Sequence, residues 1–163
     1  MKNSRRAAEL LAAVPAGWME TLGARITESE PGRVVLEVEA GPQHRHGGGV
    51  VQGGVITQIA DAAMGMSLAT LQEDGMWNTT IELKINFLRP VISGRMRAVG
   101  RVVEMKQSGE PPDVSSPPGG EGGREAPGWG LLFSEADVLD EKGRLVARAS
   151  TTCMPVPEGQ GRE

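Results

Sequence analysis

Two groups of glycines precede a segment that has the pattern of a long helix. They lie at residues 47–49 and 53–54, directly before Val55. Glycines at a helix N-terminus leave backbone N–H groups without partners, and the helix dipole favours negative charge there. Such a turn could bind a pyrophosphate, could stabilise the oxyanion formed when a carbonyl is attacked, or could serve only close backbone packing. The phosphate-loop pattern is excluded, because Val55 and not Lys follows Gly54.

Asp61 lies seven residues after Gly54, two turns into the predicted helix. It shares a stripe with Gln58 and Gly65 at the border of the apolar face. A carboxylate in that position is either a hydrogen-bonded structural group or a functional one, because burying it without a partner is costly. A base or nucleophile at neutral pH must be ionised and desolvated, and Asp can be both. Asp61 is therefore a candidate for either role.

One long helix is predicted from Gly54 to about Gln72, because apolar residues recur there at the spacing of one buried helical face. Gly75 lies beyond its end. The positions on that face are Ile56, Ile59, Ala60, Ala63, Met64, Ser67, Leu68 and Leu71.

Much of the rest of the chain alternates between apolar and polar residues, as half-buried strands do. The alternation is clearest from Thr80 to Phe87, and Pro90 stops it. Similar patterns occupy residues 34–38, 95–105, 131–139 and 144–154. The turn at residues 140–143 predicts a hairpin between the last two. One long helix among five or six antiparallel strands predicts an α+β architecture, with the sheet wrapped around the helix.

The composition excludes several classes of function. The 163 residues include 17 Lys and Arg against 21 Asp and Glu, so the net charge of −4 does not fit a general nucleic-acid binder. A single cysteine, Cys153, excludes an intrachain disulfide framework and a Cys-rich zinc module. The two histidines, His44 and His46, cannot form a metal site without carboxylates, and His44 is expected in a surface loop. No apolar run approaches the roughly 18 residues of a membrane span.

We expect one domain over residues 1–163, with three peripheral segments. Residues 1–19 predict an N-terminal helical segment whose apolar stretch is too short for a signal peptide, so a cytoplasmic protein is expected. Residues 108–128 contain six Gly and five Pro and predict a disordered loop insertion, because they cannot bury enough apolar surface. Residues 156–163 are expected to form a flexible tail.

Two motifs with a defined separation carry a family resemblance. The first reads His46-x-x-Gly49-x-x-Gln52-Gly53-Gly54, then six residues, then Asp61. The second is the strand Thr80-Ile81-Glu82-Leu83-Lys84-Ile85-Asn86-Phe87-Leu88-Arg89-Pro90. Over roughly residues 20–155 the chain resembles the hotdog-fold acyl-CoA thioesterases of the phenylacetate-degradation (PaaI) type. That family carries Asn-x-x-Gly-x-x-His-Gly-Gly, six residues and Asp, followed by a strand that runs from Thr to Phe-Leu-Arg-Pro.

The resemblance implies a hotdog fold and the hydrolysis of an acyl-CoA substrate, without a metal or cofactor. Asp61 would be the catalytic carboxylate, acting as base or nucleophile. The backbone N–H of Gly53 would polarise the thioester carbonyl, and the Thr80 hydroxyl would help to hold the attacking water. The family forms its site between subunits, so a homodimer or homotetramer is expected in which Asp61 faces Gly53 of the partner subunit. Neither a nucleic-acid nor a membrane partner is expected.

Two positions differ from the family pattern. His46 stands where the family has Asn, and Gln52 stands where it has His. Gln52 still donates and accepts hydrogen bonds, so it retains an orienting role beside Gly54 in the substrate-binding turn. His46 could bind a substrate carbonyl or cap the turn, and Arg89 could meet a CoA phosphate or remain solvated. Three tryptophans could line an acyl pocket or pack in the core: Trp18, Trp77 and Trp129.

Three functions are compatible with these features. A thioesterase is favoured by Asp61 and Thr80, which match the family's catalytic positions. A non-catalytic acyl-CoA-binding hotdog protein, acting as a ligand sensor, is favoured by the changes at His46 and Gln52. A hotdog hydratase would require a catalytic Asp–His pair, and no histidine follows Asp61 in the sequence.

Overall fold

The computed structural model describes residues 2–13, 17–106 and 130–157. Within these ranges the chain forms three α-helices: α1 (Lys2–Ala12), α2 (Trp18–Leu22) and α3 (Gly53–Ala69). The strands are β1 (Ala24–Glu30), β2 (Arg33–Ala40), β3 (Met76–Phe87), β4 (Gly94–Met105), β5 (Leu132–Leu139) and β6 (Leu145–Pro157). The predicted insertion at 108–128, Trp129 and residues 158–163 lie outside the described ranges. Strand β6 extends to Pro157, which is two residues into the segment expected as a tail.

The six described strands form one antiparallel sheet in the order β1-β2-β4-β5-β6-β3, so β1 and β3 are its edges. The hairpin predicted at residues 140–143 joins β5 to β6. Helix α3 lies against one face of the sheet and contacts all six strands. This arrangement confirms the predicted α+β architecture, with the sheet wrapped around the central helix.

Helix α3 forms where the apolar pattern predicts it, with different ends. It begins one residue before the predicted start, after an extended Gln52, and it ends three residues before Gln72. The end is set by Thr70, whose hydroxyl donates to the carbonyl of Ser67 at 2.6 Å and accepts from the N–H of Gly32 at 2.7 Å. These bonds tie the last turn of the helix to the β1–β2 hairpin.

A glycine in β4 allows the helix to approach the sheet closely. A Cβ atom at Gly100 would lie 2.2 Å from the carbonyl oxygen of Ala63 in α3, so no side chain fits there. Around this contact the core is aliphatic, and its largest fully buried side chains include Leu36, Ile59, Met64 and Met96. The close contact fixes the height of α3 above the sheet.

The face of the sheet that points away from α3 carries ion pairs. Arg101 lies between Glu135 at 2.8 Å and Asp137 at 3.1 Å, and Arg148 pairs with Asp137 at 2.6 Å. The hydrogen bonds from Arg148 and then Arg101 lower the pKa of Asp137 below its usual value. This face is charged, and the carboxylate singled out by the sequence lies on the opposite face.

Candidate functional site

Asp61 and Thr80 come together where α3 passes over β3. The Thr80 hydroxyl donates a hydrogen bond to Oδ1 of Asp61 at 2.9 Å. Asp61 is half-buried, Thr80 is exposed, and a β-bulge follows Thr80 in the pairing of β3 with β6. Among the described residues no group donates to Oδ2 of Asp61, so this oxygen is free to act on a substrate or a water. The structure thus brings two of the three predicted catalytic residues into contact.

Cys153, on the neighbouring strand β6, contacts Thr80 of this pair. The sequence does not predict it as part of the site. Its buried Sγ lies 3.8 Å from the Thr80 hydroxyl oxygen and 3.7 Å from that of Thr151. Burial raises the pKa of the Cys153 thiol, so the sulfur remains protonated and can act as a weak donor to either hydroxyl. The sequence could not reveal this contact, because it depends on β6 lying beside β3.

A cavity of about 280 Å³ opens beside Asp61 and Thr80. Trp18 and Trp77 both line it, and Trp18 also packs against the core, so Trp18 combines the two predicted alternatives. The other lining residues are Gln58, Ala62, Gly65, Met66 and Asn78. The space therefore has a carboxylate and a hydroxyl at one place, and both apolar and amide side chains elsewhere.

Gly53, the third predicted catalytic residue, lies apart from Asp61 within one chain. The two are eight residues apart on α3, which corresponds to about 12 Å along the helix axis. Gly53 lines a different cavity, of about 380 Å³, together with Phe87 and Arg89. One protomer therefore holds the carboxylate and the helix N-terminus in separate cavities.

The start of α3 offers free backbone donors. Gln52 is the N-cap residue, and its exposed side chain makes no capping hydrogen bond. Among the described residues no acceptor is found for the N–H groups of Gly53 and Gly54, whereas the Gly53 carbonyl accepts from the hydroxyl of Thr57 at 2.9 Å. Free N–H groups at the positive end of a helix dipole can bind a developing oxyanion.

The other predicted binding residues surround this helix start. His46 is exposed, and its Nδ1 accepts a hydrogen bond from the N–H of Gly48 at 2.9 Å, so it caps the glycine turn. The guanidinium of Arg89 donates to the carbonyl of Leu145 at 2.6 Å while its side chain remains exposed. Arg89 lines the same cavity as Gly53, His46 lies in the glycine turn before α3, and neither lines the cavity of Asp61.

The expectation that His44 lies in a surface loop is wrong. His44 is only 3% exposed, its Nδ1 accepts from the N–H of Gly41 at 3.1 Å, and its Nε2 donates to the carbonyl of Leu22 at 3.1 Å. Both ring nitrogens are used, so His44 ties the turn before α3 to the end of α2. The sequence did not reveal this role because His44 stands among polar residues and glycines.

Within the described ranges, no three or more His, Cys, Asp or Glu side chains lie together in a way that could hold a metal ion. None of the described helices is long and apolar enough to cross a membrane.

The segment that contains these residues matches a known family. Residues 48–108, which include Gly53, Asp61 and Thr80, match the family model of the thioesterase superfamily. A protein of Saccharolobus solfataricus that carries the name of an esterase is 35% identical over 82 residues, which are 50% of this chain and 58% of that protein. The chain thus matches little more than half the length of this curated relative.

Solved structures extend the likeness over nearly the whole chain. The PaaI protein from the phenylacetic acid degradation operon of Escherichia coli has a TM-score of 0.73 at 17% identity, covering 94% of this chain and 95% of that one. A thioesterase family protein from Silicibacter pomeroyi has a TM-score of 0.70 at 26% identity, covering 95% and 98%. These matches confirm the hotdog fold and the resemblance to PaaI-type hotdog thioesterases that the two motifs predict.

Proposed function

We propose that this hotdog-fold chain hydrolyses the thioester of an acyl-CoA to the free acid and CoA. The observation that carries the proposal is the contact between Asp61 and Thr80 at the wall of a cavity that Trp18 and Met66 also line. Thioester hydrolysis requires a group that activates water or attacks the carbonyl, a donor for the oxyanion, and room for the acyl group. The chain offers each of these, with the oxyanion donor at Gly53.

The proposal includes a site shared between two copies of the chain. Asp61 and Gly53 are about 12 Å apart along α3, too far for both to act on one carbonyl in the same protomer. A homodimer that brings Gly53 of one copy to Asp61 of the other completes the site. The exposed apolar side chains on and beside the edge strand β3 support such an assembly: Ile81 is 55% exposed, Phe87 51% and Leu88 53%. A tetramer built from such dimers is equally compatible with this edge.

In this site Oδ2 of Asp61 acts as the base. It takes a proton from a water that the Thr80 hydroxyl helps to hold, and the water oxygen forms a bond to the thioester carbon. The carbonyl electrons move onto oxygen, where the N–H of the partner's Gly53 stabilises the negative charge. Collapse of the intermediate breaks the carbon–sulfur bond, and the CoA thiolate recovers the proton from Asp61. As a nucleophile, Asp61 would instead attack the thioester carbon and expel the CoA thiolate, and water would then hydrolyse the resulting acyl anhydride to the free acid and Asp61, with one proton passing to the thiolate.

The residues around the helix start bind the substrate in this proposal. Gln52 and Gly54 orient the thioester, with a side-chain amide and a backbone N–H respectively. Arg89, exposed near the helix start, is available to a CoA phosphate. His46 is already engaged by Gly48 through Nδ1, which leaves Nε2 for a substrate carbonyl.

The ligand-sensor alternative keeps the same cavity without turnover. It is favoured by Gln52, because an amide at this position cannot exchange protons as a histidine does. A panel of acetyl-CoA, hexanoyl-CoA and phenylacetyl-CoA separates the two functions, with release of CoA followed by a chromogenic thiol reagent and binding by calorimetry. We expect hydrolysis of at least one member. Binding without CoA release across the panel would support the sensor and contradict the enzyme.

Replacement of Thr80 by Val is expected to lower kcat about tenfold, because it removes one hydrogen bond that orients the carboxylate and the water. Thr80→Ser, which retains the hydroxyl, should recover most of the loss. The matched control is Thr79→Val, since Thr79 is exposed and points to the opposite face of β3. Equal kcat values for Thr80→Val and Thr79→Val would mean that the Thr80 hydroxyl does not contribute to catalysis.

A further inference from the structure

Cys153 carries a fully buried thiol next to the proposed catalytic pair, and the proposed mechanism assigns it no role. It is paired with Thr80 across strands β3 and β6, and it packs in a small core cluster with Leu68 and Leu132. Burial raises the pKa of the thiol, so the sulfur keeps its hydrogen. Cys153 therefore has one hydrogen that it can donate.

Both hydroxyls near this sulfur donate their own hydrogens elsewhere. The Thr80 hydroxyl donates to Oδ1 of Asp61 at 2.9 Å, and an ionised carboxylate can only accept. The Thr151 hydroxyl donates to the carbonyl of Glu82 at 2.7 Å, which also can only accept. The sulfur lies 3.8 Å from the Thr80 oxygen and 3.7 Å from the Thr151 oxygen. In either contact the thiol is therefore the donor.

The charge on the two oxygens decides which of them receives the thiol hydrogen, because the two distances are nearly equal. The Thr80 hydroxyl donates to a carboxylate, whereas the Thr151 hydroxyl donates to a neutral peptide carbonyl. A hydroxyl that donates to an anion carries more negative charge on its oxygen and becomes the better acceptor. The thiol of Cys153 is therefore directed towards Thr80.

A thiol donor limits the ways in which the Thr80 oxygen can hold a water. A hydroxyl oxygen has two lone pairs, and the hydroxyl of an exposed threonine otherwise rotates to suit its surroundings. When Thr80 donates to Asp61 and accepts from Cys153, one lone pair is left on its oxygen. A water that donates one hydrogen to this lone pair and the other to Oδ2 of Asp61 is held at two points, and its position is defined.

We propose that Cys153 is a positioning residue, whose thiol donates to the Thr80 hydroxyl oxygen and thereby fixes the place of the attacking water. The inference rests on the proposed hydrolysis at Asp61, and it adds a residue that contacts neither the substrate nor the water. Cys153 acts through Thr80, so its effect on the rate disappears when residue 80 has no hydroxyl.

The kinetic test removes the thiol with and without the Thr80 hydroxyl. Cys153→Ala should lower kcat about three- to fivefold with KM little changed, because one weak hydrogen bond to the water-holding hydroxyl is lost. Cys153→Ser, which keeps a donor hydrogen, should recover most of kcat. When Cys153→Ala is added to Thr80→Val, kcat should stay at the value of Thr80→Val alone. An equal fold change in the parent and in the Thr80→Val background would mean that Cys153 only packs, and would overturn the inference.

The matched control for lost packing is Leu132→Val. Leu132 lies in the same buried cluster and is paired with Cys153 across β5 and β6. The substitution removes one methylene group from the core, so the melting temperature should fall while kcat stays equal to that of the parent. A loss of kcat as large as that of Cys153→Ala would assign the effect to packing and contradict a positioning role.

The infrared S–H stretching band tests the hydrogen bond without any change at Cys153. The chain contains one cysteine, so it has one such band, and donation to an oxygen lowers the wavenumber. Thr80→Val should raise the wavenumber, whereas Thr151→Val and Thr79→Val should leave it unchanged. A band that stays in place in Thr80→Val would overturn the inference even where hydrolysis persists. If the parent releases no CoA from any acyl-CoA in the panel, the proposed function fails, and the positioning role fails with it.

Discussion

Asp61→Asn is expected to lower kcat by about 10² or more while KM changes little. The amide keeps the size of the carboxylate and can still accept the 2.9 Å hydrogen bond from Thr80, so the fold should persist. It has no negative charge with which to take a proton or attack the thioester. The measurement is steady-state hydrolysis of the best substrate found in the acyl-CoA panel.

The matched control for this variant is Asp74→Asn. Asp74 is exposed, and its ion pair with Arg5 at 3.0 Å lies at the surface, where such pairs contribute little. Its kcat should equal that of the parent. If Asp61→Asn hydrolyses the substrate as fast as Asp74→Asn, Asp61 is not the catalytic carboxylate.

Gly53→Pro is expected to lower kcat by about 10² to 10³, the loss typical of removing one oxyanion donor. Proline has no N–H, and Gly53 is the first residue of α3, where proline is well tolerated. The preceding Gln52 has φ −61° and ψ 133°, the extended conformation that a following proline requires. The substitution therefore removes the donor with little disturbance of the helix.

Gly53→Ala distinguishes the effect of losing the N–H donor from the effect of adding side-chain atoms at this position. It retains the N–H and adds a Cβ atom that would lie 3.2 Å from Cζ of Phe87, an exposed ring that can move. Its kcat should remain within a few-fold of the parent, because only one side chain must adjust. If the alanine and proline variants lose the same fraction of kcat, the added side-chain atoms at position 53, and not the missing N–H, lower the rate.

Local periodicity was sufficient to predict most of the fold. The pattern of α3 and the alternation in β4, β5 and β6 arise from one buried face each, which a sequence shows directly. In β3 only Leu83 and Ile85 of the alternating apolar residues pack against the core, whereas Ile81 at the β-bulge and Phe87 are exposed. Strand β1, Ala24–Glu30, was not predicted, because its few apolar residues are separated by charged and polar ones at the sheet edge. The end of α3 was misplaced because Thr70 is held by Gly32, a contact between distant parts of the chain.

The site could be predicted only in part, for a related reason. Asp61 and Thr80 were identified by their place in two motifs, and the fold brings them within 2.9 Å. Cys153 and Asn78 gave no signal, since their positions depend on which strands flank β3 and on how α3 lies over it. The sequence favours a surface position for His44, because nothing in its neighbourhood indicates that the ring bonds to Leu22 and Gly41.

The central claim is that Asp61 of one copy acts with Gly53 of the other, and mixed dimers of Asp61→Asn and Gly53→Pro test it most directly. Each variant alone has no intact site. In the mixed dimer, the Asp61→Asn copy supplies an intact Gly53 to the intact Asp61 of the Gly53→Pro copy. With two differently tagged chains purified together, we predict about half the parental activity per dimer, since one of two symmetric sites is restored. A purified mixed dimer as inactive as the two separate variants would contradict the shared site.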